Sequence, residues 1–164
     1  MGPESNGAIR IVDAASVPEY QVGRALIEEY ASSLPIDLSF QGFEEEISQF
    51  PGEYAPPKGA VLIAYSGPTP SGVVALRPHG SSACEMKRLY VRPAFRGHGI
   101  GRMLSLRIIQ RATELHYALM RIDTLPSMDA AIGLYRALGF RHIPPYRYNP
   151  VAGAVFMELA LAPT

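Results

Sequence analysis

The stretch YVRPAFRGHGIGRMLSLRI (residues 90–108) sets Gly97, Gly99 and Gly101 between an apolar run stopped by Pro93 and a helical pattern rich in arginine. Glycine costs a helix interior about 1 kcal/mol relative to alanine, so its use at a helix start asks for a physical reason. The first-turn N–H groups of a helix have no intrahelical partner, and the aligned peptide dipoles leave roughly half a positive charge there. Phosphate binds such a terminus wherever side chains do not block its approach. Gly97, Gly99 and Gly101 clear the approach, while Arg96 and Arg102 add positive charge. The segment reads as a diphosphate cradle. A dinucleotide fingerprint G-x-G-x-x-G fails, because Arg102 or Leu104 falls where the last glycine belongs, and no Gly-Lys-Ser/Thr tripeptide offers a P-loop.

Outward from the cradle, the chain alternates strand and helix patterns. AIRIVDAA (residues 8–15) alternates like a first strand. A helix follows, with Ser16 as N-cap and Pro18 in its first turn, and LSFQGFEEEISQF gives a short second helix. AVLIAYS and GVVALRPH form a hairpin whose GPTPSG connection reads as too long for the tightest turns, and SACEMKRLYVRP is a third strand in succession. Beyond the glycine helix come a strand (ALMRIDTL), a helix (SMDAAIGLYRALGF) and two strands around a Pro-rich loop. The order β-α-α-β-β-β-α-β-α-β-β predicts a mixed α/β chain with a central antiparallel meander.

Composition bounds the function. The 164 residues, 48% hydrophobic and 18% charged, predict one globular domain over residues 1–164. Zero net charge argues against a broad nucleic-acid footprint. Neither a signal-like apolar segment at the N-terminus nor a membrane-length apolar run occurs, so no membrane partner is expected. The single cysteine, Cys84, excludes an internal disulfide and fits a reducing compartment, the cytoplasm. The four histidines show no metal-ligand spacing, and no metal is expected.

One nucleotide pattern does fit: R-x-x-G-x-G, read as Arg96, Gly99 and Gly101, after the strand LYVRP and at the head of a helix. Together with A-x-x-L-Y-x-x-x-G-F at residues 131–140, one strand and one helix later, it resembles the GNAT superfamily of acyl-CoA N-acyltransferases. The motifs span about residues 82–140, the expected acetyl-CoA-binding core, and the flanking element order extends the likeness to nearly the whole chain. The resemblance implies a single-domain GNAT-like α/β fold: a central, mostly antiparallel sheet with a splayed, bulged strand and helices on both faces. It implies acetyl-CoA as co-substrate, cradled at Arg96, Gly97, His98, Gly99, Ile100, Gly101 and Arg102. Backbone groups of Leu89, Tyr90 and Val91 would meet the thioester and pantetheine. Small members of the family are often dimers, which makes a homodimer an expectation of the resemblance.

Acetyl transfer to an amine sets the remaining demands. An amine of pKa near 10.4 must lose a proton, at roughly 4 to 5 kcal/mol at pH 7. Charge growing on the carbonyl oxygen needs donors, and the departing thiolate needs a proton. Glu85 lies where related enzymes carry a general base; the alternative is an ion pair with a neighbouring basic residue. Tyr135 lies where the family commonly has a general acid at the sulfur; the alternative is a packing tyrosine. Where the family often has a cofactor-contacting Asn, this chain has Met128. Asp123 and Thr124 end a strand beside the expected cleft, with an active-site role and a turn or capping role equally open. Lys87, which shares a strand face with Glu85, and Tyr146 and Asn149 in PPYRYNP are the candidate contacts to a small-molecule amine, with an amino-acid-like acceptor bearing a carboxylate preferred. The alternatives are acetylation of a protein N-terminus or lysine, and a CoA-binding sensor that performs no chemistry.

Overall fold

The computed structural model describes residues 7–162; the N-terminal segment read above for targeting falls largely outside them. After strand β1 (Ile9–Asp13), helix α1 (Val17–Ser33) opens on a capping box. The Glu19 N–H donates to Ser16 Oγ at 3.3 Å and the Ser16 N–H donates to Glu19 Oε1 at 3.0 Å, satisfying two end groups reciprocally. Helix α2 (Phe43–Ser48) follows a short 3-10 turn. Strands β2 (Ala60–Ser66), β3 (Thr69–His79) and β4 (Ala83–Val91) come next. Then α3 (Ile100–Glu114), β5 (Leu119–Thr124), α4 (Asp129–Ala137), β6 (Arg141–His142) and β7 (Val155–Ala160) complete the chain. The order of strands and helices is the one the sequence predicts.

Seven strands form one sheet in the order β1-β2-β3-β4-β5-β7-β6, antiparallel except for the β4–β5 pair. Strands β2 and β3 are buried on both faces, which is why they read as nearly unbroken apolar runs rather than alternating ones. On one face α3 and α4 pack Leu104, Ile108 and Tyr135 against Leu62, Val74 and Met86. On the other, Leu26 and Ile27 of α1 and Ile47 of α2 cover Val61, Ile63 and Ala75. The hairpin between β2 and β3 is tighter than expected. Ser66 pairs with Thr69, leaving Gly67 (φ +59°) and Pro68 as a two-residue turn, and a register shift after Ala64 absorbs the extra length.

The feature that shapes the molecule is in β4. Val73 pairs with Tyr90 and Ala75 with Lys87, so Arg88 and Leu89 together face Val74. This bulge puts Arg88 at φ +62°, a left-handed conformation that costs an L-residue about 1 kcal/mol. Long-range contacts hold it there. Arg88 Nε and Nη2 donate to the two Glu46 carboxylate oxygens at 3.0 Å each, and Nη1 donates to Gln41 Oε1 at 2.9 Å. Beyond the pairing of Glu85 with Arg121, β4 and β5 no longer bond. The two strands splay, and a cleft opens between them.

Candidate active site

Two cavities meet at this splay. An open groove runs between the end of β4, the glycine loop and α4, with Val91, Gly97, Gly99, Gly101 and Leu134 on its walls. A cleft lies between β4 and β5, bounded by Met86, Lys87, Asp123, Met128 and Tyr135. Leu89 and Ala131 line both, so groove and cleft adjoin there.

The groove's loop end is built by backbone conformation. Gly97 and Gly99 hold φ +84° and +79°, and a Cβ on either would meet nothing within 4 Å. Their glycines are required by the turn, and the space above them is open. Gly99 is the N-cap of α3, and no side chain caps the helix. Its first-turn N–H groups are therefore available to an anion. A Cβ on Gly101 would lie 3.7 Å from Val91 Cγ2 and 3.9 Å from Leu134 Cδ2, both groove walls. His98 and Arg102 are exposed. Arg96 turns back, its Nε donating to the Val91 carbonyl at 2.9 Å, and so braces the loop. Open N–H groups, positive charge and an apolar groove floor fit a pyrophosphate with a pantetheine arm: Gly97 to Arg102 would hold the former, and Leu89, Tyr90 and Val91 border the path of the latter. Bound acetyl-CoA would supply the activated acetyl thioester.

Tyr135 lies one turn beyond Ala131 on α4 and lines the cleft. Burial pushes its phenol well above the usual value, so it stays protonated. Met128 also lines the cleft and its sulfur accepts a hydrogen bond from the Thr124 hydroxyl at 3.3 Å, which leaves it no donor to replace an asparagine amide.

Lys87 and Asp123 form a buried pair across the splay, Nζ to Oδ1 at 3.1 Å, with side chains 4% and 1% exposed. Lys87 Nζ also donates to Gln41 Oε1 at 3.4 Å. Burial lowers the Lys87 amine and Asp123 opposes that, with Arg88 adding to the fall; the result is about 8. Asn149 reaches the cleft from the β6–β7 loop, its Oδ1 accepting the Val151 N–H at 2.9 Å.

Glu85 sits one pleat behind Lys87 and does not border the cleft. Its carboxylate, 1% exposed, accepts from Arg77 Nε at 3.0 Å, from the Tyr146 hydroxyl at 3.1 Å and from Arg147. Burial alone would raise its pKa, but Lys87, Arg77 and Arg147 together hold it at about 2. A carboxylate so held takes up a proton poorly, and the contacts support the ion-pair reading of this residue. Tyr146 packs on His79 and Phe156, at 5.0 and 5.2 Å between ring centroids, and lies outside the cleft lining. Cys84 is buried and burial pushes its thiol up to about 12, far from a nucleophile's range.

Sequence patterns missed Gln41, Arg88 and the Lys87–Asp123 pairing. The strand-end position of Asp123 was the one available signal. Among the described residues no group of His, Cys, Asp or Glu is arranged to hold a metal, and no helix is long and apolar enough to cross a membrane.

Comparison with known proteins agrees with this geometry. The Acetyltransferase (GNAT) family matches residues 23–140. An uncharacterized N-acetyltransferase of Schizosaccharomyces pombe is 39% identical over 141 residues, covering 85% of this chain and 86% of that protein. N-acetylaspartate synthetase of Rattus norvegicus is 34% identical over 108 residues, 65% of this chain but 35% of the relative. An acetyltransferase of Salmonella typhimurium, solved with its cofactor acetyl-CoA, superimposes with a TM-score of 0.64 at 22% identity, covering 95% of each chain. With its bulged β4, splayed sheet, open glycine loop and matching motifs, the chain belongs to the GNAT family of acetyltransferases.

Proposed function

We propose that this acetyltransferase moves the acetyl group of acetyl-CoA directly to the primary amine of a small acceptor held in the β4–β5 cleft. The observation that carries the reading is the junction of groove and cleft at Leu89 and Ala131. A thioester arm lying in the groove would end beside Tyr135, and an acceptor in the cleft would approach it from the other side. Such convergence supports a direct attack, since holding two reactants in line replaces a bimolecular encounter. Tyr135 is the general acid in this reading. A phenol kept protonated by burial can donate to the departing thiolate, whose affinity for a proton is highest as the C–S bond breaks.

Glu85 on β4 enters as an anchor rather than as the base. It ties Arg147 and Tyr146 of the β6–β7 loop to β4, and the same loop carries Asn149 to the cleft. The likeness to N-acetylaspartate synthetase makes L-aspartate the rival acceptor that a test must include. A thermal-shift series with acetyl-CoA, CoA, NAD and ATP, followed by thiol release against a panel of amines, tests the proposal. Stabilisation by the CoA species, by about 2.7 kcal/mol at 100 times the dissociation constant, and amine-dependent thiol release are expected. Stabilisation without release from any amine would favour a CoA-binding sensor.

A further inference from the structure

The charged side chains that line the cleft are largely paired within the protein. Arg88 is held by Glu46 and Gln41, Lys87 by Asp123 and Gln41, and the Asn149 carbonyl oxygen by the Val151 N–H. Asp123 is the exception. Its side chain is 1% exposed, Oδ1 accepts from Lys87, and Oδ2 has no hydrogen-bond partner. Two other buried polar atoms without partners, Asp13 Oδ1 and Tyr54 Oη, belong to residues that do not line the cleft. A charged acceptor atom left buried and unpaired is costly, because it forfeits its hydration without a replacement. A native site that tolerates this at a cavity wall is poised to be completed by a donor from a ligand.

The chemistry of that donor follows from what surrounds it. The two cations on the cleft wall, Lys87 and Arg88, are both committed to carboxylates of the protein. Arg77, a cation on the neighbouring strand, faces Glu85, Glu46 and Glu53 and borders a different cavity. Neither cleft cation is free to hold an anionic group. Much of the remaining wall is apolar, including Leu34, Ile36, Leu38, Phe40 and Leu125. Beside these stand the hydroxyls of Tyr30 and Tyr135 and the amides of Gln41 and Asn149, and an unpaired carboxylate oxygen next to the apolar stretch suits a cation on an apolar body.

We propose that Asp123 is the acceptor-binding residue of the cleft, its Oδ2 taking the ammonium group of a primary amine whose remaining body is apolar and carries no carboxylate. The inference deepens the acetyltransferase reading and rests on it. Asp123 favours the charged form and Lys87 opposes it; the ammonium gives a proton to water before the attack, and the proton that its nitrogen sheds as the amide forms balances the one Tyr135 hands to the thiolate. Asp123 and Lys87 fall opposite one another when the β4–β5 register is continued two residues past its last bonded pair, so the acceptor site lies where the splay begins.

Kinetics with defined probes test this on the intact enzyme. 2-Phenylethylamine is offered as acceptor, 2-phenylethanol and 3-phenylpropanoate as competitive inhibitors, and L-aspartate as a rival acceptor. The proposal expects 2-phenylethylamine to drive CoA release with kcat/KM at least tenfold above that of L-aspartate. The alcohol and the acid should bind at least tenfold more weakly than the amine. Asp123→Asn should raise the amine KM at least tenfold while acetyl-CoA binds within twofold of the wild type. Should that variant not fold, Asp123→Asn combined with Lys87→Met removes both charges together, and it should lose the preference for amine over alcohol. Preference for L-aspartate, no preference for amine over alcohol in the wild type, or an unchanged amine KM in folded Asp123→Asn would overturn the proposal. Failure of the wild type to bind acetyl-CoA at all would instead overturn the acetyltransferase reading beneath it.

Discussion

Replacing Glu85 with glutamine separates an anchor from a base, because the two roles predict opposite results in stability and rate. The carboxylate is 1% exposed and serves Arg77, Arg147 and the Tyr146 hydroxyl at once. Holding it at about 2, against an ordinary value of 4.5, corresponds to about 3 kcal/mol at roughly 1.4 kcal/mol per tenfold. Removing one partner of a buried pair costs about 3–5 kcal/mol. Here the lower end applies, since Arg77 keeps Glu46 at 3.7 Å and Glu53 at 3.6 Å, and Arg147 is 23% exposed and can turn to water. Glu85→Gln should therefore lose about 3 kcal/mol in urea unfolding at pH 7. The sign with pH is fixed by the lowered pKa: the contribution is complete above the unfolded value of 4.5 and disappears as pH falls through the folded value of about 2. The difference between wild type and variant should shrink to about half by pH 3. In turnover, the folded variant should keep kcat within about tenfold and retain the shape of its pH–rate profile. A variant of wild-type stability whose kcat falls by about 10³ and whose acid limb vanishes would refute the anchor and restore Glu85 as the base.

Two further substitutions probe groove and acid. Gly101→Ala adds a helix-favouring residue, for a gain of up to about 1 kcal/mol, but its Cβ meets Val91 and Leu134 on the groove wall; thermal melting should rise while calorimetric acetyl-CoA affinity drops several-fold. Tyr135→Phe should lower kcat by about 10² or more with acetyl-CoA affinity unchanged, and loss of affinity without loss of rate would make Tyr135 a packing residue.

The parts of this fold that could be read from sequence are those written in local pattern. The glycine loop declares itself because positive φ at Gly97 and Gly99 and an uncapped helix start are properties of adjacent residues. The strands β2 and β3 declare themselves by unbroken apolar runs. What stayed hidden depends on partners far apart in the chain. Arg88 occupies the left-handed region because Glu46 and Gln41, forty-two and forty-seven residues earlier, grip its guanidinium, and no propensity foretells an arginine there. Glu85 stands where the family resemblance implies a base, and the approach of Arg147, sixty-two residues later, leaves no periodic trace in the sequence. Tyr146, expected at the acceptor, packs between His79 and the edge-on Phe156 ring and lies outside the cleft lining. Lys87 was expected to face the acceptor, and it does reach the cleft, but with its charge already given to Asp123.

Direct transfer across the junction of groove and cleft is tested most plainly by following a carbon-13 label from the acetyl group of acetyl-CoA in a rapid-quench single turnover, using the amine that most accelerates thiol release. The account predicts that the label passes into the acceptor's amide, one for each CoA released, with no acetylated protein at any time. Label appearing first on the protein, or only in free acetate at a rate the amine does not change, would contradict it.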